Sequence, residues 1–357
     1  MFNSFSVLLM ILTSLYFSYF VYRFFKIVLH HRLSVVLMIG IYFLIFYMSR
    51  CLFNFLELKA VIYFHIVVVS LFLEIPYMLF KKNKLIQSII PTGILCCVIV
   101  SGIFGYGYYR IHHIVEKRYV LQSDHIDDLK IALIADMHMG VSIDQKKLKS
   151  ICQKISEQKV DIVALDGDIF DENTSYQDMK AACKILGQIE SRLGIYYVFG
   201  NHDSNHYTLT PAYDVSTLEK ELEKNHIVVL NDDDVRIIED VMIIGRRDAG
   251  YYQDGERLTM QELYPQHTQH FVLVLDHQPL DLQTNASLKV DLQLSGHTHG
   301  GQLFPQGLIQ SLTSDTLVYG KRKIGELTAI TTSGISGWRY PIKTGAPSEY
   351  VIIEIKS

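Results

Sequence analysis

Four apolar runs, over residues 7–22, 33–49, 60–80 and 85–107, fill most of the first third of the chain and carry very few charges. A helix needs about 20 such residues to cross the hydrocarbon core of a bilayer. Inside lipid the backbone must satisfy its own hydrogen bonds, and a helix does so within one segment. Soluble helices would show a polar face at helical period, which these runs lack. A cleavable leader would stop after one short apolar run, whereas here three more follow. The sequence therefore predicts four transmembrane helices over residues 1–108, a polar linker over 109–129 and a globular domain over 130–357.

Basic residues in short loops set the expected orientation. Arg23, Lys26 and Arg32 follow the first run, and Lys81, Lys82 and Lys84 follow the third; only Arg50 and Lys59 follow the second. The richer loops are expected in the cytoplasm, which makes this a multi-pass cell-membrane protein with an extracytoplasmic globular domain. Arg110, Lys117 and Arg118, after the fourth run, oppose that bias. His65 and Glu74 fall inside the third run. An ionisable group there is a candidate relay or transport residue; near the end of a span it is also a plain interfacial carboxylate. A formal net charge of -4 provides no bulk field for nucleic acid, and none is expected as a partner. Cys51, Cys96, Cys97, Cys152 and Cys183 show no metal or redox spacing and read as reduced thiols.

After residue 130 the pattern alternates strand, loop and helix. Apolar strands are expected at 131–135, 160–165 and 195–199, and helices at 146–158, 177–192 and 217–225. Further strands follow, with a hairpin turning at Glu239 and Asp240. This is an α/β class pattern, in which ligands gather outside the carboxyl ends of strands. Clusters of metal-binding residue types fall at such ends: Asp136-Met137-His138, Gly167-Asp168, Gly200-Asn201-His202-Asp203, His277, and Gly296-His297-Thr298-His299 running into Gly300-Gly301-Gln302.

Each cluster alone is weak. Together they suggest a metal site. Asp168 has two carboxylate oxygens and can bridge two cations about 3.5–4 Å apart. Asn201 and His202 are adjacent and cannot easily reach one ion, so one faces metal and the other substrate. Asp203, next in the chain, would fix the tautomer of His202 and raise its pKa. Asp171 would orient a ligand or cap the next helix. His297 and His299, two apart, share a side of an extended strand.

In this order the clusters resemble the motif set of the calcineurin-like metallophosphoesterases, from residue 130 to the C-terminus. The Gly-His-Thr-His-Gly-Gly-Gln run resembles a membrane-associated bacterial branch that includes enzymes acting on phospholipid-like or nucleotide-sugar lipid substrates. The resemblance implies a four-layer α/β/β/α sandwich and a dinuclear centre of two divalent metal ions (Mn, Fe or Zn). Asp136, His138, Asp168 and His299 would hold one ion. Bridging Asp168 with Asn201, His277 and His297 would hold the other. His202, with Asp203 behind it, would be catalytic. The implied reaction is hydrolysis of a phosphate ester by hydroxide shared between the ions, the substrate being a phosphodiester or diphosphate of a lipid or envelope compound. Arg246, Arg247 and Arg339 would hold phosphate, and Trp338 and Tyr340 an apolar or sugar portion. Three positions depart from the family pattern: Asp276 stands where a small residue is usual, Arg246-Arg247 where an acidic pair is usual, and Lys343 where Arg is expected. The competing expectations are a non-catalytic membrane sensor or transporter with a ligand-binding domain, and a metal-dependent amide hydrolase.

Overall fold

The apolar runs fold into helices Ser4–Ile27, Val35–Leu52, Leu58–Leu79 and Ile94–His112 in the computed structural model, which describes residues 4–52, 57–232, 235–250, 257–264 and 268–357. The chain divides into two units, Met1–Tyr106 and Gly107–Ser357.

Among the described residues of the apolar region, three helices are long and apolar enough to cross a membrane: Val7–Ile27, Leu58–Leu79 and Ile94–His112. The second and fourth runs depart from the expectation of four unbroken spans. The second run keeps a shorter apolar stretch, Val35–Tyr47. The fourth run is broken: Asn83 caps a short helix Lys84–Ile89, accepting from the backbone N–H groups of Leu85 and Ile86. Pro91, with no N–H to give, then sits in a tight turn Ile90–Thr92 that ends on Gly93 at φ 75°.

Glu74 is paired within the same unit. Its two oxygens accept from both terminal nitrogens of Arg23, each at 2.6 Å, and one accepts from the Tyr16 hydroxyl at 3.2 Å. A fork-to-fork contact of this kind is both strong and directional. The Arg23 guanidinium also lies 4.6 Å from the ring centre of Tyr77.

The second unit carries two mixed six-stranded sheets. In chain order the strands are β1 (Ile114–Gln122), β2 (Leu129–Ile134), β3 (Val160–Asp166), β4 (Ser191–Val198), β5 (Ile227–Val229), β6 (Val235–Ile238), β7 (Val241–Gly245), β8 (Phe271–Leu275), β9 (Leu292–Ser295), β10 (Gly320–Ile324), β11 (Leu327–Thr331) and β12 (Ser348–Lys356). The first sheet runs β1-β12-β2-β3-β4-β5 and the second β10-β11-β9-β8-β7-β6. Strands β2 to β5 are mutually parallel, as are β7, β8, β9 and β11.

Alternation along the strands builds the layers. Ile131, Leu133, Ile162 and Ala164 meet Ile243, Leu273, Leu292 and Leu294 in a core between the sheets. Ala132, Ile134, Val163 and Leu165 point the other way, onto helices Gln145–Glu157, Tyr176–Leu186 and Val215–Lys224. Met242, Val272 and Val274 form a third cluster on the far side of the second sheet with Met260 and Leu263. Strands buried on both faces explain the unbroken apolar runs of the sequence.

Three differences from the sequence reading stand out. The expected linker over 109–129 contains β1, which pairs in parallel with β12 along its whole length, from Ile114 against Ser348 to Gln122 against Lys356. Its mixture of Glu116, Lys117 and Arg118 with Tyr119 and Leu121 is that of an edge strand. The helix expected to run to residue 192 stops at Leu186. Gly187 approaches the next segment too closely for a side chain, since a Cβ there would lie 2.2 Å from the Asn225 carbonyl oxygen. Strand β10, rich in Lys and Arg, is another edge strand without an apolar signature.

The Arg23–Glu74 pair generates a prediction. With side-chain exposures of 4% and 17%, removing one partner strands the other charge, which costs about 3–5 kcal/mol, whereas replacing both by apolar groups is close to neutral. Glu74→Leu is expected to lower the detergent-solubilised protein's unfolding midpoint sharply, and Arg23→Leu/Glu74→Leu to recover most of the loss.

Candidate metal centre

The loops after β2, β3, β4, β8 and β9 bring the predicted residues to one place. Asp136 and His138 leave β2, Asp168 leaves β3, Asn201 and His202 leave β4, His277 leaves β8, and His297 and His299 leave β9. Two groups of ligand atoms result, each lying within 4.8 Å of one another: Asp136, His138 and His299, and Asp168, His277 and His297.

Asp168 lies beside both groups. One of its oxygens, Oδ2, is 3.1 Å from His277 Nε2 and 3.9 Å from His138 Nε2. His138 Nε2 faces His299 Nε2 at 3.3 Å, and His299 Nε2 is 3.6 Å from Asp136 Oδ1. On the other side His297 Nδ1 faces the Asn201 side-chain oxygen at 2.9 Å.

Five of these residues, Asp136, His138, Asp168, His297 and His299, adopt left-handed backbone angles between 41° and 69° in φ. Non-glycine residues avoid that region and are held there only where the surroundings over-determine them, most often at functional sites. Here the surroundings are backbone hydrogen bonds. Asp136 N–H donates to the Gly167 carbonyl and His138 N–H to the Asp168 carbonyl, both at 3.0 Å. His297 N–H donates to Asp136 Oδ1 at 3.0 Å, and His202 N–H to Asp168 Oδ1 at 2.8 Å. Gly167, at φ 75°, has no room for a side chain: a Cβ would lie 2.5 Å from His277 Nδ1.

The protonation pattern suits cation binding. His277 Nδ1 donates to the Asp166 carbonyl at 2.8 Å, which orients the ring with Nε2 facing Asp168 Oδ2. Burial alone would raise the Asp168 pKa, but the charge and contact of His277 overcome it and hold that carboxyl well below the usual range. Burial, then the neighbouring His277, holds His297 down at about 4. Burial, then His138, holds His299 well below an ordinary imidazole. Anionic carboxylate and neutral imidazoles are the forms that bind metal, and Asp168, His297 and His299 already lean that way. Against burial, Asp168 and then Asp136 raise the His277 pKa well above an ordinary imidazole, so that ring must give up a proton to a cation. Asp136 Oδ2, His277 Nε2 and His299 Nδ1 are buried with no hydrogen-bond partner among the described residues. Unsatisfied buried polar atoms in both ligand groups fit a pair of divalent cations.

Asp203 does not stand behind His202. Its carboxylate accepts from the backbone N–H groups of Asp168 at 2.7 Å, Gly200 at 2.8 Å and Phe170 at 2.9 Å. Adjacent residues in a turn point apart, and the free donors of two loops claim the acid. Glu172 takes the expected role: its Oε2 accepts from His202 Nδ1 at 3.0 Å. Burial opposes the charged ring, but Glu172 and then Asp168 raise the His202 pKa. Asp171 lies 3.4 Å from His138 Nδ1 while accepting from the Asn173 N–H at 2.8 Å, so it faces a ligand and closes its own turn.

The phosphate-binding expectation for Arg246 is corrected. It is buried and spent on Asp232 at 3.3 Å, Asp281 at 3.4 Å and the Leu258 carbonyl at 2.7 Å. Arg247 hydrogen-bonds Asn231 at 3.3 Å in the same region. Arg339 is exposed and sits over the Trp338 ring at 5.3 Å. Trp338 and Tyr207 flank the His202 ring at 5.0 and 4.8 Å. Asp276, the unusual neighbour of His277, is neutralised by Arg257 through contacts of 2.5 and 3.1 Å.

Two residues at the site escaped the sequence reading in their roles. Glu172 follows Asp171 in an acidic turn, which gave no hint of a partner. Lys343 is fully buried and donates to the carbonyls of Ser333, Gly334 (3.1 Å) and Ser336 (2.9 Å). It props the loop whose Gly334 packs against Asp136, where a Cβ would lie 2.4 Å away. Burial brings its pKa down to about 7.

Comparison with known proteins matches residues 129–301 to the family described as calcineurin-like phosphoesterase. An uncharacterized metallophosphoesterase of Helicobacter pylori is 28% identical over 279 residues, covering 77% of this chain and 72% of its own length. One from Campylobacter jejuni is 31% identical over 233 residues, covering 64% and 59%. A Bos taurus transmembrane protein with metallophosphoesterase domain is 28% identical over 238 residues, covering 63% and 52%.

Cation binding by the folded site alone must raise stability. Ligand at about 100 times its dissociation constant adds about 2.7 kcal/mol. Chelation is expected to lower the unfolding midpoint, Mn²⁺ to restore it, and Asp168→Ala to abolish the Mn²⁺ response, as read by thermal unfolding.

Proposed function

The chain belongs to the calcineurin-like metallophosphoesterases through residues 129–301 and is a metal-dependent phosphoesterase, and from that premise we propose that it is a membrane-anchored hydrolase with two divalent cations, cleaving a phosphodiester or diphosphate in a lipid or envelope substrate. The observation that carries this reading is the pair of ligand groups, Asp136-His138-His299 and Asp168-His277-His297, with the Asp168 carboxylate of the second also facing His138 of the first.

In this reading Asp136, His138, His299 and Asp168 hold one cation, and Asp168, Asn201, His277 and His297 the other. Mixed imidazole, carboxylate and amide donors suit Mn, Fe or Zn. When bound, the cations supply an activated water and neutralise charge on the phosphoryl oxygens. The chain's own residues do the rest. His202, its Nδ1 engaged by Glu172, keeps a proton at Nε2 for the departing oxygen. The raised pKa of that ring favours the protonated form. Trp338 and Tyr207 beside it limit water and offer flat apolar surface to the leaving group, with Arg339 as the adjacent exposed cation.

The basic loops support an outer location for the hydrolase. Arg23 to Arg32 and Lys81 to Lys84 share one face of the bilayer only if helix Val35–Leu52 also crosses. Its 18 residues rise about 27 Å, near the thickness of the hydrocarbon core. Crossing by Ile94–His112 then delivers the catalytic unit to the opposite, extracytoplasmic face.

The test is turnover by the full-length protein, purified with its lipids and loaded with Mn²⁺, first on bis(p-nitrophenyl) phosphate and then on phospholipids and lipid-linked sugars followed by phosphorus release. His202→Ala is expected to lower kcat by about 10²–10⁴-fold, the range for a lost general acid. Glu172→Gln is expected to cost about tenfold by freeing the ring while leaving the metal content intact. A fully metallated protein without turnover on any phosphate ester would favour the sensor reading instead.

A further inference from the structure

Helix Gln306–Thr313 has no buried residue. Leu308, Ile309 and Leu312 are each more than half exposed, and so is Phe304 just before it. A cluster of large apolar side chains on one short surface helix marks a contact with something apolar.

Its place in the catalytic unit says what that contact is. The helix backbone packs on the glycines that follow His299: a Cβ on Gly301 would lie 2.1 Å from the Gly307 nitrogen. It is tied as closely to the end of the last apolar helix, whose residues 107–112 belong to the same unit. Lys343 N–H donates to the Gly107 carbonyl at 3.1 Å, and the Thr344 hydroxyl accepts from Phe304 N–H at 2.9 Å. Two consecutive residues thus join the exit of a membrane-spanning helix to Phe304. Tyr108 and Tyr109, in that exit, are exposed, as aromatic residues at a membrane interface are. Beside the helix runs a groove of about 310 Å³, lined by Gly300, Phe304, Leu308, Tyr319, Arg322 and Ala346. It is apolar along the helix and carries the Arg322 cation on the facing strand, β10.

We propose that Phe304 and the apolar face of helix Gln306–Thr313 lie in the surface of the bilayer that anchors the chain, with Arg322 meeting the phosphate of a lipid headgroup. The apolar side chains go below the headgroups and the guanidinium stays at their level. Because Gly300 forms both a wall of this groove and part of the loop after His299, lipid drawn there arrives beside the metal ligands. The step from docking to substrate delivery rests on the lipid-hydrolase reading; the docking itself does not.

Full-length protein carrying Leu312→Cys, with Cys51 and Cys97 changed to Ser, is labelled with a fluorophore and placed in nanodiscs of phosphatidylethanolamine and phosphatidylglycerol. Glu190→Cys, exposed elsewhere on the unit, serves as the control. Nitroxide on the lipid chains is expected to quench the label at 312 and not at 190. Equal, weak quenching at both overturns the proposal, and so does energy transfer between labels at 312 on two copies, which would make a second chain the occupant. In a second arm, Ile309→Ser/Leu312→Ser is expected to lower the ratio of turnover on bilayer-embedded phosphodiester to turnover on bis(p-nitrophenyl) phosphate by about tenfold or more, from lost apolar contact. An unchanged ratio in an active protein overturns delivery. Quenching at 312 without lipid turnover keeps the docking and removes the lipid-substrate reading.

Discussion

The catalytic unit depends on the way one buried carboxylate is spent. Asp203 gathers three backbone N–H groups from two separate loops, those of Asp168 and Phe170 after β3 and of Gly200 after β4. Burial and then the nearby Asp168 lift its pKa to about 6, against the pull of those donors. The three bonds fix the separation of the two loops, and with it the positions of Asp168, Asn201 and His202. Everything the site can do chemically assumes that spacing. An amide in place of the acid would present an N–H₂ group to donors and leave at least one of them unpaired.

The types and order of the site residues were legible in the sequence because metal binding draws on a narrow set of side chains, placed where apolar strands end. What pattern could not supply was direction. Asp203 and Glu172 are both acids near His202 in the chain or in space, and only the fold decides which one touches the imidazole. The turn after residue 200 sends Asp203 inward to backbone donors and leaves the ring to Glu172. Arg246 illustrates the same gap: an arginine near a strand end suggests anion binding, until Asp232 and Asp281 are seen to consume it. Buried Lys343 is the converse, a cation whose partners are carbonyl oxygens and therefore invisible as residue types.

For the fold, strands buried on both faces announced themselves as apolar runs, and the layers follow from their alternation. Edge strands did not, because half their surface is wet and their composition is that of a loop. Strand β1 is the instructive case: its partner lies more than two hundred residues away, and no local signal marks it. In the apolar region, composition set the helices but not their ends. Pro91 and Gly93 break a run that hydropathy alone treats as continuous.

The position of β12 has a consequence for assembly. It lies between β1 and β2, parallel to one and antiparallel to the other, yet in the chain it follows every other described strand of the two sheets. Until it arrives, β2 has no neighbour on that side, and the loop carrying Asp136 and His138 lacks half its support. Pairing at such long sequence separation is slow to form. The candidate centre thus waits on a strand made more than two hundred residues after β2, so a product that stops short of Ser348 leaves the loop of Asp136 and His138 without its flanking partner.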